Sequence, residues 1–280
     1  MALATVRRIE AADADGALAS VRALAALRPG QGVVAERLAG GLVAYGGPGS
    51  PINRGRAFGM DGPVAAVELD AVVAFYRSRG LTAHLEVAPF ADPSLVDGLA
   101  ARGFAFAGFV HVLTLAGDGA VASPAAGRRW PSGAWRRATR ADAWARLVGQ
   151  GFGEDAPSAT TMDLGRVVFE LPEAACFQAD LGGVPAGGGA LRVADGVGWL
   201  FAGSTRPDQR GRGVQSALIA ARVAHARAAG CDIVAVATRA GSASQRNLER
   251  AGFRVAYTRA ALELPYRAGD GDAPASVAGA

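Results

Sequence analysis

Two stretches of this 280-residue sequence run through the same features in the same order, and a chain built that way is expected to fold as two related halves. The first passes from an amphipathic segment, Val67 to Arg79, through Gly80 into a β-rich run, Leu81 to Val87. A short helix after Asp92-Pro93 and the pair Gly103-Phe104 then lead to a run ending at Leu115. The second stretch has a helix from Val214 to Ala229, then Gly230, a β-rich run Cys231 to Ala237, a short helix after Ser242, Gly252-Phe253, and a run to Leu264. The interval Gly80 to Gly103 is one residue longer than Gly230 to Gly252, so the order and the spacing both repeat.

Each short helix carries its own start and stop chemistry. Asp92 before Pro93 supplies an N-cap and a pre-set first helical residue, and Ser242 with Gln245 three positions later has the capping-box pattern. Gly then Phe ends both helices, as a left-handed C′ glycine does when it turns the chain into an apolar strand. Between the copies, residues 117–132 are rich in Gly, Ala, Ser and Pro without a sustained period, which marks a linker.

After the linker a strand is expected at Trp135 to Ala138 and a helix from Thr139, with Ala141, Trp144, Leu147 and Val148 on its apolar face. Three β-like runs follow, Ala175 to Leu181, Val184 to Val193 and Val197 to Thr205, joined at Gly182-Gly183 and Asp195-Gly196. The intervening segment, Gly149 to Pro172, leaves room for a second helix around Asp163 to Glu170. The C-terminal half therefore reads β-α-β-β-β-α-β-α-β, an α/β mixed sheet with helices against it. The expected division is a first domain at 1–117, a linker at 118–133, a second domain at 134–266 and a disordered tail at 267–280.

Composition removes several function classes. Half of the residues are hydrophobic, enough for a sizeable core, and no window holds the roughly 18 consecutive apolar residues of a membrane span. Arg7, Arg8 and Glu10 interrupt any signal-peptide pattern, so a soluble, cytoplasmic protein is expected. Cys176 and Cys231 stand alone in apolar stretches, which argues for two buried thiols and against a disulfide framework or a zinc site. All 29 basic residues are arginine, and they are scattered among 25 acids rather than clustered with aromatics, so no nucleic-acid face is expected.

The chemistry concentrates where the run Val197 to Thr205 meets a helix. Arg206-Pro207-Asp208-Gln209 is followed by Arg210-Gly211-Arg212-Gly213-Val214-Gln215-Ser216, and Val214, Ala217, Leu218 and Ala221 share one helical face. A helix start offers unpaired N–H groups and a partial positive charge, and glycines let those amides approach a phosphate. Arg210 and Arg212 add cationic donors, so the expected ligand group is a phosphate or diphosphate. A tight turn that merely needs glycine is the plain alternative. The loop lacks the Gly-Lys-Ser/Thr ending of a P-loop and the third glycine of a dinucleotide fold.

On these residues the chain resembles the GNAT acetyltransferases, whose diphosphate motif is Arg-x-x-Gly-x-Gly/Ala after the fourth strand. Arg210 and Gly213 match it, and Gln215 departs from Gly/Ala while leaving its amide available. The stretch Ser242 to Phe253 is similar to the family's second motif, so the likeness covers about residues 134–264. The resemblance implies two tandem GNAT-like domains packed as a pseudo-dimer. It also implies acetyl-CoA as co-substrate and transfer of an acetyl or short acyl group to a primary amine of a small molecule or peptide, without a metal.

The family's splayed fourth strand would place Gly203, Ser204 and Thr205 against the pantetheine arm, where a backbone N–H can meet the oxyanion. Ser244 and Asn247 would contact pantetheine or adenosine. Where many members carry a tyrosine acid, this chain has Leu248, and Tyr257 is the nearest phenol, nominated as general acid. Glu154, with Asp155 beside it, is nominated to deprotonate the amine.

In the first copy, Asp61 and Pro63 stand before the helix, one repelling a diphosphate and the other removing a donor. That half reads as a degenerate domain without the CoA loop, which walls the acceptor pocket or serves only as a structural partner. The assembly expected is a monomer with an internal pseudo-dimer, or a homodimer. A CoA-binding or sensing module without turnover is the alternative function, and an N-myristoyl- or aminoacyl-type transfer is a third.

Overall fold

The computed structural model describes residues 1–116, 121 and 135–267. Most of the expected linker and the tail beyond Arg267 lie outside the described residues. The N-terminal half contains α1 (Leu3–Leu27), β1 (Val34–Leu38), β2 (Gly41–Tyr45), β3 (Gly55–Arg56), α2 (Ala66–Arg77), β4 (Ala83–Val87), α3 (Pro93–Ala101) and β5 (Ala105–Ala116). The C-terminal half contains β6 (Trp135–Arg137), α4 (Ala141–Gly151), α5 (Ala159–Glu170), β7 (Ala174–Leu181), β8 (Val184–Ala194) and β9 (Val197–Thr205). It continues with α6 (Val214–Ala228), β10 (Ile233–Arg239), α7 (Ala243–Arg250) and β11 (Arg254–Leu264).

The two copies repeat one order of elements: β3, α2, β4, α3 and β5 correspond to β9, α6, β10, α7 and β11. Asp92 caps α3 by accepting from Ser94 N at 3.0 Å, and Ser242 caps α7 by accepting from Gln245 N at 3.1 Å. Gly103 and Gly252 adopt φ of +80° and +98°, the left-handed stop anticipated from the Gly-Phe pairs. Gln245 differs in detail, since its Oε1 accepts from Gly241 N and not from the cap residue.

All the strands join in one mixed sheet of order β1-β2-β3-β4-β11-β5-β10-β9-β8-β7-β6. Each half has a single strand after its last helix, and the halves exchange it. β11 lies between β4 and β5, and β5 lies between β11 and β10, all three contacts antiparallel. Lending one strand across covers an edge that each half would otherwise leave unpaired. The linear division into 1–117 and 134–266 thus describes the order of the sequence, while the sheet runs across it.

Against one face pack α6 and α7, burying Leu218, Ile219, Val234, Val236, Leu248 and Phe253. The other face holds α1, whose Val6, Ile9 and Ala12 meet Val197, Trp199, Ala235 and Tyr257. The sequence reading assigns no element to the α1 segment. Its buried residues, among them Val6, Glu10, Ala14, Ala17, Val21 and Leu24, recur at helical spacing along one face, but two of these six are alanine and one is glutamate, so the stripe is only weakly apolar.

A buried charge cluster ties α1 to the exchanged strand. The fully buried Arg259 of β11 donates to Glu10 Oε1 at 2.9 Å, to Asp13 Oδ2 at 2.7 Å and to Glu86 Oε2 at 2.9 Å. Arg54 reaches Glu86 at 2.8 Å and Arg56 approaches Asp13 at 3.8 Å, so three carboxylates face three guanidinium groups. Burial alone would raise the Asp13 and Glu86 carboxyls, but the arginines outweigh it and hold both below their ordinary values.

Candidate functional site

The first turn of α6 is an open donor site. Gly213 is its N-cap in the left-handed region, φ +85° and ψ 3°, with no side chain capping the helix and no acid in its first turn. The first intrahelical bond runs from Ala217 N to Gly213 O at 3.2 Å, so the amides of Val214, Gln215 and Ser216 precede the ladder. Gly211, at φ +72°, has open space where a Cβ would stand. These residues fit a diphosphate: several N–H groups ahead of the helical ladder, the positive end of a helix dipole, and no acid in the first turn of α6.

Arg210 holds this loop in place, donating to Thr205 O at 3.4 Å and to Gly151 O at 3.2 Å. Arg212 lies outside, bonded to Gln209 Oε1 at 2.6 Å, and Arg206 is turned onto Asp208 at 3.1 Å. Gln215 donates from Nε2 to Thr205 Oγ1 at 3.0 Å, which fastens the helix start to the end of β9.

That strand leads into the mouth along an edge with no partner. β9 pairs with β10 in parallel only from Val197 to Trp199, opposite Ile233 to Ala235, although β10 continues to Arg239 against β5. Beyond Trp199 the two strands diverge, and Gly203 is exposed in the interior of an eleven-stranded sheet. Arg206 N donates to Ala186 O of β8 at 3.0 Å, so alternation along the strand turns the Thr205 and Gly203 amides to the free edge.

A bulge accompanies the divergence. The β8–β9 register shifts between Gly188 and Ala190, and Ala202 sits at φ +50°, a conformation that costs a non-glycine residue about 1 kcal/mol or more. Glycines make the close packing possible. A Cβ on Gly187 would stand 2.5 Å from Ser204 O, and one on Gly188 would stand 3.1 Å from Trp144 Nε1. Trp144 itself is buried and donates to Phe177 O at 3.0 Å, seating α4 behind the strand.

The equivalent helix start in the first copy carries an acid. Glu68 Oε2 accepts from Ala65 N at 2.9 Å, and Ser94 Oγ accepts from Val64 N at 2.9 Å, so a carboxylate in the first turn of α2 stands where α6 has none. Asp61 stands beside it, 3.4 Å from Arg7. β3 has no free edge either, since β2 and β4 pair with it on its two sides, and beyond it Asp92 N donates to Gly59 O at 2.8 Å.

The structure gathers Gly203, Ser204, Thr205, Arg210, Gly211, Arg212, Gly213, Val214, Gln215 and Ser216 at the junction of β9 and α6. Within that set Ser204 contributes backbone only, because its hydroxyl is buried and donates to Val148 O at 3.0 Å. On α7, Ser244 is exposed and Asn247 half-buried, the latter accepting a short hydrogen bond from Arg250. Leu248 is buried in the core under α6.

Both residues nominated for proton transfer carry other hydrogen bonds. The Tyr257 hydroxyl donates to Glu10 Oε1 at 2.5 Å inside the charge cluster, and burial, then the neighbouring Glu10 carboxyl, push the phenol far above its ordinary pKa. Glu154 braces the start of α5, whose cap is Ser158, accepting from Ser158 N at 2.9 Å and from Thr161 Oγ1 at 2.8 Å. Sequence reasoning missed Arg222, fully buried in α6; its only signal was an arginine four residues after Leu218 on an apolar face.

Comparison with known proteins agrees with this geometry. Residues 142–253 match the profile of the acetyltransferase (GNAT) family. That stretch is a GNAT domain. The fold of the whole chain is similar to a GCN5-related N-acetyltransferase from Kribbella flavida, at TM-score 0.56 and 20% identity, covering 89% of this chain and 95% of the other. A GCN5-related N-acetyltransferase from Sphaerobacter thermophilus aligns at TM-score 0.57 and 17% identity over 92% of each chain. A tandem GNAT protein from the clavulanic acid biosynthesis pathway aligns at 0.52 and 16%, covering 80% and 77%. At these identities the likeness shows the fold: two GNAT-like halves, with the family profile falling on the half that holds the open mouth. No curated protein matches the sequence.

Proposed function

We propose that this GNAT protein is an acyl-CoA-dependent N-acyltransferase with one active half, residues 134–266, and one half, residues 1–117, that has kept the fold without the nucleotide loop. The observation that carries the reading is the continuity of the unpaired β9 edge with the uncapped start of α6. A strand-like pantetheine arm pairs with the first and a diphosphate with the second, and Gly203 and Thr205 supply the edge amides. Acetyl-CoA bound there would supply an activated thioester. The acceptor is a primary amine of a small molecule or peptide, attacking directly in a ternary complex. α1, over the face of the sheet that carries Trp199 and Phe201, gives the first half a place in the acceptor wall.

Calorimetric titration with CoA and acetyl-CoA, followed by release of free CoA thiol against a panel of amines, tests the proposal. No binding of either ligand would remove it. A second reading, a CoA-binding module without turnover, is favoured by buried Leu248 and by the engagement of Tyr257 with Glu10. Binding with no thiol release for any amine would select it.

A further inference from the structure

Arg222 is a buried cation without an acid. Its residue exposure is 3%, and its hydrogen bonds are to three carbonyls: Leu218 O at 2.9 Å, Phe201 O at 3.2 Å and Ala190 O at 3.4 Å. Desolvation alone acts on it and lowers its pKa to about 10. This contrasts with Arg259, whose burial is balanced by three carboxylates. Isolating a guanidinium in this way is costly, and a purely structural filling of the space would be met more cheaply by an apolar side chain.

The surroundings are shaped around it. A Cβ on Gly189 would stand 2.9 Å from Arg222 Cζ, and one on Gly203 would stand 3.2 Å from Nη2 and 3.3 Å from Nη1. Two glycines on adjacent strands therefore open the slot in which the guanidinium lies, directly at the bulge formed by Ala202. Nη1 holds the Phe201 carbonyl, and in a trans peptide the N–H of Ala202 points the opposite way, out to the free side of β9. A charged donor on that carbonyl polarises the peptide and strengthens its N–H as a donor.

We infer that Arg222 is a positioning residue for acyl transfer, holding the Phe201–Ala202 peptide so that the Ala202 N–H and the charge behind it meet the thioester carbonyl. The inference rests on the acyl-CoA reading above. From Arg206 at the mouth back to Ala202 the edge spans four residues, about 13 Å, which suits an extended pantetheine arm whose diphosphate sits at α6. In the reaction the amine nitrogen bonds to the carbonyl carbon, the carbonyl oxygen gains and then loses negative charge, and the carbon–sulfur bond breaks. The proton given up by nitrogen balances the one gained by the departing thiolate. The polarised N–H serves the oxygen at the moment it is charged.

The test is isotope-edited infrared spectroscopy of acetyl-CoA carrying ¹³C at the carbonyl, read beside calorimetry for acetyl-CoA and CoA. In the wild-type protein the bound thioester stretch is expected below its frequency in solution. Arg222→Met should return it to the solution value and remove the preference for acetyl-CoA over CoA, about tenfold for one charge-assisted hydrogen bond, while the CoA affinity stays. Arg222→Lys, which keeps the charge, should recover part of the shift. An unshifted wild-type carbonyl, or a full shift in the methionine variant, overturns the inference and leaves CoA binding standing. Absence of binding by both ligands overturns the acyl-CoA reading itself. If the methionine variant does not fold, the wild-type frequency and the partial shift of the lysine variant decide the matter alone.

Discussion

Replacing Arg259 by Met should unlock the two halves. The side chain is fully buried and bonds Glu10, Asp13 and Glu86, which come from α1 and β4, while Arg259 itself belongs to the strand lent by the C-terminal half. Methionine fills much of the same volume, so little of the loss comes from a cavity. What remains is three buried carboxylates facing Arg54 and Arg56 alone, and breaking such a set by removing one partner costs about 3–5 kcal/mol. For a chain of this size that corresponds to a fall in melting temperature of about 10 °C. Differential scanning calorimetry at pH 7 reads it directly.

The pH dependence gives an internal check. Asp13 and Glu86 have depressed folded-state pKa values, so their contribution is present above the unfolded carboxylate pKa and is lost as pH falls through the folded values. Glu10 is raised, by burial first, and acts in the opposite sense, favouring the fold as it takes up a proton. Without Arg259, all three carboxyls should shift upward, and the gap between wild type and variant should narrow from pH 7 to pH 5. A variant that melts within about 2 °C of wild type at pH 7, or a gap that widens on acidification, would refute the reasoning.

Three further outcomes are expected. Gly213→Asp keeps an αL-tolerant N-cap but puts a carboxylate at the diphosphate mouth, so the stabilisation by CoA, about 2.7 kcal/mol at a hundredfold excess over Kd, should vanish while the unliganded protein melts normally. An unchanged thermal shift would remove the motif from consideration. Tyr257→Phe should lower stability by about 1–3 kcal/mol, because it deprives buried Glu10 of a donor, and should leave CoA affinity alone. Normal stability with slowed transfer would return the hydroxyl to the chemistry. Glu154→Ala should cost about 1 kcal/mol through the lost hydrogen bonds to Ser158 N and Thr161 Oγ1, read by chemical denaturation; loss of thiol release at unchanged stability would make the carboxylate a base after all.

Much of the molecule could be read along the chain because the signals were local. The runs at β7, β8 and β9, the Asp92 and Ser242 caps, and the left-handed glycines at 103 and 252 each depend on residues within a few positions of one another. The uncapped start of α6 belongs to the same class: Gly211 and Gly213 before an amphipathic helix specify an open N-terminus wherever that helix lies. The contrast with the first copy was half legible. Asp61 and Pro63 marked its helix start as unsuitable for a phosphate, whereas the bonds of Glu68 and Ser94 beside it appear only in three dimensions.

The surroundings of the catalytic nominations were hidden for the complementary reason. Tyr257 is close in sequence to Leu248, but its partner is Glu10, 247 residues away, on a helix whose one buried face is only weakly apolar. Arg222 looked like an ordinary helical arginine until Gly189 and Gly203, on two other strands, were seen to frame it. By itself the sequence determined most elements from α2 onward, the caps of α3 and α7, the twofold order of features and the glycine turn into α6, all of which are settled by short-range backbone preference. The tertiary structure alone decided which strand each half lends, which charges are buried together and where β9 parts from β10. Those outcomes depend on desolvation and strand pairing between distant segments, whose free energies no local window contains.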